Sequence, residues 1–310
     1  MGDFQTALER GDRAALRACP KSDLHNHFIL GGDRAFIAAR TGRTIAPLNR
    51  PLASIAQMHA WASEAVGELF DTAGGRLLAF EAAFVQAAGD GVTRLEAGED
   101  VWSITVHGSA AGLTESLLDR HRSTAPTVEW IAQLGLSRHC PGSALERWLA
   151  AFLELGVYQT LDLSGDEFAQ PITAFAPLYR RAKAAGLRLK AHVGEWGSAD
   201  DVWRAVETLA LDEVQHGIAA AASPACMRFL ADNQIRLNIC PTSNLMLGRV
   251  ESLAAHPIRR LYDAGVRVTV NTDDVLAFGQ SVSDEFLNLY RAGVFTGEEL
   301  DRIRMEGLSD

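Results

Sequence analysis

No apolar run in this chain approaches the roughly 18 residues that a membrane-crossing helix needs, so no such span is expected. Lys and Arg form no cluster, and acids outnumber bases to give a formal net charge of −10. A phosphate backbone attracts the opposite sign, which argues against a nucleic-acid partner. The four cysteines, Cys19, Cys140, Cys226 and Cys240, contain no C-x-x-C pair. That argues against a disulfide framework and fits a reducing compartment. Residues 1–23 mix acids and bases without an apolar centre, so no signal peptide is expected and a cytoplasmic location is. No G-x-G-x-x-G follows a strand-like run, which counts against an open, doubly wound sheet with a dinucleotide site. Repeats and linkers are also missing, and nothing sets an oligomeric state. The 310 residues read as one domain over 1–310.

What the chain does contain is an alternation. Strand-like runs at 23–29, 91–98, 126–135, 157–165, 187–194, 212–217, 235–240 and 266–273 are separated, from residue 91 onward, by helical patterns. Those patterns lie at 109–122, 143–155, 171–185, 198–210, 223–233 and 257–264. Strands alternating with helices predict βαβ units and a parallel sheet. Eight of them predict an α/β fold of the TIM (β/α)8 barrel type. Residues 33–90 carry helical patterns and no convincing strand, which predicts a helical insert after the first strand, placed as a lid over the C-terminal mouth of the barrel. Met58, Trp61 and Phe70 are expected to pack within that insert. The last residues, "FTGEELDRIRMEGLSD", read as a solvated terminal helix.

Polar residues then collect where the strands end. In "SDLHNHFILGG" (22–32), His25 and His27 stand two apart, so they point the same way from a strand of period two. Strand five ends at His192 with Glu195 just beyond, strand six at His216, and strand eight at Asp273 and Asp274. A lone histidine at a strand end is usually a hydrogen-bonded core residue. On a parallel barrel, however, all these ends share one face, and histidines converging with a carboxylate there make a zinc shell with a position left for water. A bound divalent metal brings the pKa of water toward neutrality, and His216 or Asp273 could orient the resulting hydroxide. Glu195 is placed as a general acid if burial keeps it protonated. Asp274 could bond the substrate or cap its own turn. His59, His107, His121, His139 and His256 read as surface or capping residues, and Trp196 as a pocket wall or a loop cover.

At these residues the sequence resembles the adenosine deaminase family of the amidohydrolase superfamily. The matching segments, in order, are "PKSDLHNH" (20–27), "DLSGDE" (162–167), "HVGEWGS" (192–198), "VQHG" (214–217), "CPTSN" (240–244) and "NTDD" (271–274). The resemblance implies a TIM barrel that uses one Zn2+ ion per chain to replace the amino group of a purine ring by a carbonyl, releasing ammonia. It implies His25, His27, His192 and Asp273 as metal ligands and Glu195 as the group that protonates the ring nitrogen. It further implies His216 as the residue that orients the hydroxide. Gly165 and its neighbour Asp166 fall on the substrate side, Gly165 offering its backbone N–H to a ring nitrogen, with Asp274 meeting the imidazole nitrogen of the purine.

The departures from the family pattern fall on substrate recognition. Where adenosine-specific members carry an acid for a ribose hydroxyl, this chain has Ile29, with Asp33 as the nearest substitute acid. Glu96 matches a family acid, but Gly98 stands where an Arg is usual, and Glu213-Val214-Gln215 precede His216 where many members have a basic residue and Gly. The expected ligand is a small-molecule 6-aminopurine: adenosine, adenine or a derivative. The alternatives are another amino-heterocycle or sugar-modified nucleoside, and a non-catalytic metal- or ligand-binding barrel. A binuclear centre on a carbamylated lysine is disfavoured, because strand four ends "LDLSGDE" without lysine.

Overall fold

The computed structural model describes residues 2–309, apart from the side chains of Glu68 and Phe70. Eight strands follow one another around the molecule in sequence order: β1 (Lys21–Asp23), β2 (Val92–Asp100), β3 (Glu129–Ser137), β4 (Thr160–Ser164), β5 (Arg188–Val193), β6 (Glu213–His216), β7 (Arg236–Ile239) and β8 (Arg267–Val270). Each consecutive pair is parallel. Helices at Ala110–Thr124, Gly142–Leu153, Ala176–Ala184, Ala199–Leu209, Pro224–Asp232 and Ile258–Asp263 fill the connections. This is the TIM barrel that the alternation predicts. Among the described residues, no helix is long and apolar enough to cross a membrane.

The period of two decides which side chains face the helices and which face the barrel axis. In β5, Leu189, Ala191 and Val193 join the apolar core with Leu161, Leu163, Val214, Leu237 and Ile239. The alternate residues Lys190 and His192 turn the other way. Lys190 is fully buried, its Nζ 2.6 Å from Glu96 and donating to the Leu24 carbonyl at 3.0 Å. Such a charge survives burial only with partners, and Glu96, Glu213 and that carbonyl supply them.

Strand one is shorter than the sequence suggests. The ladder ends at Asp23, and His25 and His27 lie just past it. The chain turns at Phe28–Leu30, where Leu30 N–H and Gly31 N–H donate to the His27 carbonyl at 2.7 and 2.6 Å. These three residues are apolar because of packing, not strand pairing: Phe28 meets Phe80 and Leu30 enters the insert's core. The barrel closes between β8 and β1 by one backbone bridge, Asn26 to Asp273, with Asp273 N–H on the His25 carbonyl at 2.8 Å. Side chains complete the seam, Asn271 accepting from Leu24 N–H and Asp23 from Thr272.

Between β1 and β2 stand the helices Arg34–Thr41, Ile55–Phe70 and Ala73–Gly89. Met58, Ala62, Val66 and Leu69 form a second apolar cluster with Leu247 and Leu276–Phe278, and Trp61 packs on it. The Phe70 side chain lies outside those described. The terminal helix Gly297–Leu308 is only partly solvated: Leu300, Ile303 and Gly307 are buried against β8 and β1.

Candidate active site

The seam between β8 and β1 carries the histidines. His192 Nε2, at the end of β5, lies 2.9 Å from His25 Nε2 and 2.9 Å from His27 Nε2. Of the opposite ring nitrogens, those of His25 and His27 are hydrogen-bonded and that of His192 faces an acid. His25 Nδ1 is 3.0 Å from the Asn238 carbonyl, His27 Nδ1 3.1 Å from Asp274 Oδ1, and His192 Nδ1 3.2 Å from Asp162 Oδ2. An Nδ1 that faces an oxygen acceptor turns the ring so that its Nε2 points inward, the orientation a metal ligand needs. Burial and the neighbouring imidazoles of His216, His192 and His27 push His25 well below its ordinary pKa, which keeps it neutral.

Asp273 lies beside this trio. Its Oδ2 accepts from Ser243 Oγ at 2.6 Å, and its Oδ1 is buried without a hydrogen-bond partner among the described residues. Oδ1 is 3.3 Å from His27 Nδ1 and 3.7 Å from His25 Nε2. Metal-sized groupings therefore overlap: the three histidines form one, His27, Asp273 and Asp274 another, and His25, His216, Asp273 and Cys240 a third. Burial and the charges of Asp273 and Asp23 hold the Cys240 thiol far above its usual pKa, so it stays protonated there. Asp273 and His216 both take a left-handed backbone, φ 64° and 61°, a conformation that costs a non-glycine residue about 1 kcal/mol or more. At both strand ends the tertiary structure sustains that strain.

Glu195 follows β5 on a loop that a second acid holds. Glu167 accepts from Gly194 N–H at 2.8 Å, Glu195 N–H at 2.9 Å and Trp196 N–H at 2.7 Å. The Glu195 carboxyl is buried, its Oε1 without a hydrogen-bond partner among the described residues and 3.6 Å from His216 Nε2. Burial first, then the charges of Asp273 and Glu167, raise its pKa well above the ordinary value. It therefore keeps its proton near neutrality. The role of Glu167 leads to a test: Glu167→Ala strands three amide donors and should cost roughly 2–3 kcal/mol of stability. It should also lower kcat through a misplaced Glu195, with Tm and kcat measured on the same sample.

His216, at the end of β6, faces away from the trio at its other nitrogen. Its Nδ1 is 3.3 Å from Asn244 Nδ2, and Asn244 Oδ1 is 3.2 Å from His256 Nε2. Asn244 rides on the short helix Pro241–Met246, whose Thr242 N–H donates to the buried Glu285 at 3.1 Å. Burial, outweighing the Thr242 hydrogen bond, pushes Glu285 up to about 8. A raised carboxyl stabilises the fold fully below its unfolded pKa and loses that contribution as pH climbs to 8. Glu285→Gln should then match the parent Tm near pH 4 and exceed it at pH 8 and above.

These groups meet in a cavity of about 380 Å³ at the C-terminal mouth of the barrel. His27, His192, Glu195, His216, Asp273 and Asp274 line one side, and Gly165 lies on the rim. A Cβ on Gly165 would meet the His139 ring at 3.1 Å, and its φ of 96° suits only glycine. Ile29, Leu30, Ile55, Met58, Ala62 and Leu247 make an apolar wall. Asp274 makes no side-chain cap; it bonds His27 instead.

Two acids do not reach the cavity. Asp166 accepts from Phe168 N–H at 2.9 Å and stays in its own turn. Asp33 caps the Arg34–Thr41 helix, accepting from Phe36 N–H at 2.6 Å. Trp196 lies in the insert's cluster beneath the Arg249 guanidinium, 4.1 Å away. Sequence reasoning missed His59 and His139, which line the mouth with rings 5.6 Å apart, and the far wall of Arg76, Asp100 and Trp102. Asp100 was visible as an acid closing a strand, like Asp273. The family's arginine position is closed: a Cβ on Gly98 would lie 1.7 Å from the Gln133 carbonyl oxygen.

A family model described as adenosine deaminase matches residues 125–310. A Treponema pallidum protein provisionally named adenosine/adenine deaminase is 35% identical over 281 residues, covering 90% of this chain and 94% of the relative. The chain belongs to the adenosine deaminase family. It is a hydrolase of carbon–nitrogen bonds in cyclic amidines, of the kind that deaminates 6-aminopurines. Among solved structures, adenine deaminase from Arthrobacter aurescens superposes with a TM-score of 0.78 at 25% identity, over 93% of this chain and 92% of that one. An amidohydrolase from Burkholderia ambifaria with bound Zn superposes at 0.77 and 22% identity, covering 96% and 86%, and so shares the fold.

The adenosine deaminase family implies a zinc ion, and the residues here fit one. His25 Nε2 and His27 Nε2 each lie 2.9 Å from His192 Nε2, so each contact needs a proton or a metal cation between its two nitrogens. Three converging imidazole nitrogens beside a carboxylate that has an unpartnered buried oxygen are the donor set zinc takes, displacing the proton that Asp274 and Asp273 favour on metal-free His27.

Proposed function

We propose that this chain is a zinc-dependent aminohydrolase, with one ion per chain, that converts a 6-aminopurine to the 6-oxopurine and ammonia. The convergence of three imidazole Nε2 atoms beside a buried, protonated Glu195 carries this reading. A divalent cation held by His25, His27, His192 and Asp273 would supply activation of water at neutral pH. Glu195 holds a proton for the ring nitrogen next to the attacked carbon. His216 Nε2, 3.6 Å from Glu195 and 3.8 Å from Asp273, orients the attacking oxygen. Gly165 presents its backbone to a ring nitrogen, and Asp274, fixed by His27, receives the imidazole N–H of the purine. The helices of residues 33–90 act as the lid that keeps bulk water from the ring.

The apolar wall narrows the substrate. With Ile29 in the acid's place and Asp33 committed to a helix cap, neither position offers a carboxylate to a sugar hydroxyl, and Asp71 and Asp100 are the acids of the lid side and far wall that remain. One charged hydrogen bond is worth about 1.5–3 kcal/mol, or roughly tenfold and more in kcat/KM. Adenine, or a 6-aminopurine with an apolar substituent, is therefore favoured over adenosine. The test is ammonia release by zinc-loaded protein over adenine, adenosine, 5′-deoxyadenosine, 5′-methylthioadenosine, N6-methyladenine and a set of aminopyrimidines. The highest kcat/KM should fall on adenine or a sugar-modified purine. Adenosine turned over best would overturn the substrate assignment, and no turnover of any 6-aminopurine would overturn the reading itself.

A further inference from the structure

We infer that the buried pair Asn244 and His256 sets the tautomer of His216, so that the proton sits on Nε2 and faces the reacting atoms. The inference rests on the reading of His216 as a catalytic group.

The polarity of the chain is fixed from a backbone anchor. Ile258 N–H donates to His256 Nδ1 at 3.1 Å, so that nitrogen is an acceptor. A neutral imidazole with Nδ1 accepting carries its hydrogen on Nε2. His256 is 2% exposed. Its Nε2–H therefore donates to Asn244 Oδ1, 3.2 Å away. With its oxygen so engaged, the Asn244 amide can turn only its NH2 toward His216 Nδ1, at 3.3 Å. His216 Nδ1 accepts, and Nε2 carries the hydrogen. Flipping the amide would set two donors against each other, at His256 Nδ1 and Ile258 N–H. The far end is compatible: Asp273 Oδ2, 3.8 Å from His216 Nε2, is a carboxylate oxygen, and Glu195 Oε1, 3.6 Å away, is a carboxyl oxygen that can accept.

An Nε2–H donates a hydrogen bond to an attacking oxygen and to the oxyanion that forms when it adds. An Nε2 lone pair would repel both. Asn244 and His256 touch no reacting atom, so they are positioning residues. Loss of such outer partners commonly costs about 10–100-fold in activity.

The test reads the tautomer and the rate together. In zinc-loaded protein labelled with 15N-histidine, long-range 1H–15N correlation spectra should give His216 a pyrrole-type Nε2 and a pyridine-type Nδ1, with His216→Phe identifying its signals. Asn244→Asp places a carboxylate, which can only accept, opposite Nδ1. It should reverse the two nitrogen types and lower kcat by about 10–100-fold with KM little changed. His256→Phe frees the amide to flip and should give a mixed pattern with a smaller loss. His256→Gln, which keeps an N–H donor for Asn244, should recover the parent pattern and most of kcat. That pair decides the matter even if Asn244→Asp does not fold. A pyridine-type Nε2 in the parent protein overturns the inference, as does a parent tautomer and kcat in His256→Phe. His216→Phe with undiminished kcat would instead overturn the catalytic reading on which the inference stands, whatever the tautomer.

Discussion

Glu195→Gln is expected to lower kcat by about 10³-fold while leaving zinc content and fold in place. Gln matches the shape of the carboxyl and its neighbours, so the Glu167 contacts to the loop backbone survive. What is lost is the transferable proton. Burial, Asp273 and Glu167 keep that proton on the wild-type carboxyl. A general acid with a raised pKa works below that pKa and fails above it, so the parent enzyme should show a descending alkaline limb in kcat that the variant lacks. The substitution acts on stability in the opposite sense to its effect on rate. The folded pKa of Glu195 exceeds the unfolded one, so the fold loses this group's contribution as pH rises between them. Glu195→Gln should therefore match or exceed the parent Tm at neutral pH. A variant that is inactive and at least as stable separates chemistry from folding. Undiminished kcat in Glu195→Gln would remove Glu195 from the mechanism.

Much of this site was legible in the sequence because a parallel barrel maps chain order onto one face. His192, His216 and Asp273 are far apart along the chain, yet each lies at or just past the end of a strand, and strand ends share the mouth. Strand periodicity needs only local information, and seven of the eight strands lie within a few residues of their expected bounds. The first strand was misread for a physical reason. Phe28, Ile29 and Leu30 have the composition of a strand, but a turn hydrogen-bonded to the His27 carbonyl packs them against two different clusters. Composition reports burial without saying which backbone conformation delivers it.

The residues that stayed hidden depend on contacts between distant segments. His59 sits on an exposed helix face that becomes a cavity wall only when the insert folds over the mouth. His256 looks like an isolated loop histidine until Asn244 connects it to His216. Glu167 was visible within "DLSGDE", but its task, gathering three N–H groups of the next loop, belongs to tertiary structure. Asp33 was the reverse case. Its place at the start of a helix was a capping signal, and the helix took it.

His192→Ala is expected to abolish tight zinc binding and lower kcat on the order of 10³-fold or more, since unassisted water is scarcely ionised at neutral pH. His192 is chosen because its Nε2 is the one atom 2.9 Å from both His25 and His27. Asp162→Asn, which alters only the partner of His192 Nδ1, should be milder, at about 10–100-fold in zinc affinity. The graded pair separates a ligand from the group that aims it. Stability adds an independent readout. A cation that binds only the folded protein raises its Tm in proportion to the logarithm of its concentration. Zinc should therefore raise the Tm of chelator-treated parent protein and leave that of His192→Ala unchanged. If His192→Ala keeps both its zinc and its zinc-dependent Tm, the three histidines are not the ligand set, and the cation must be sought at one of the two groupings without His192: His25, His216, Asp273 and Cys240, or His27, Asp273 and Asp274.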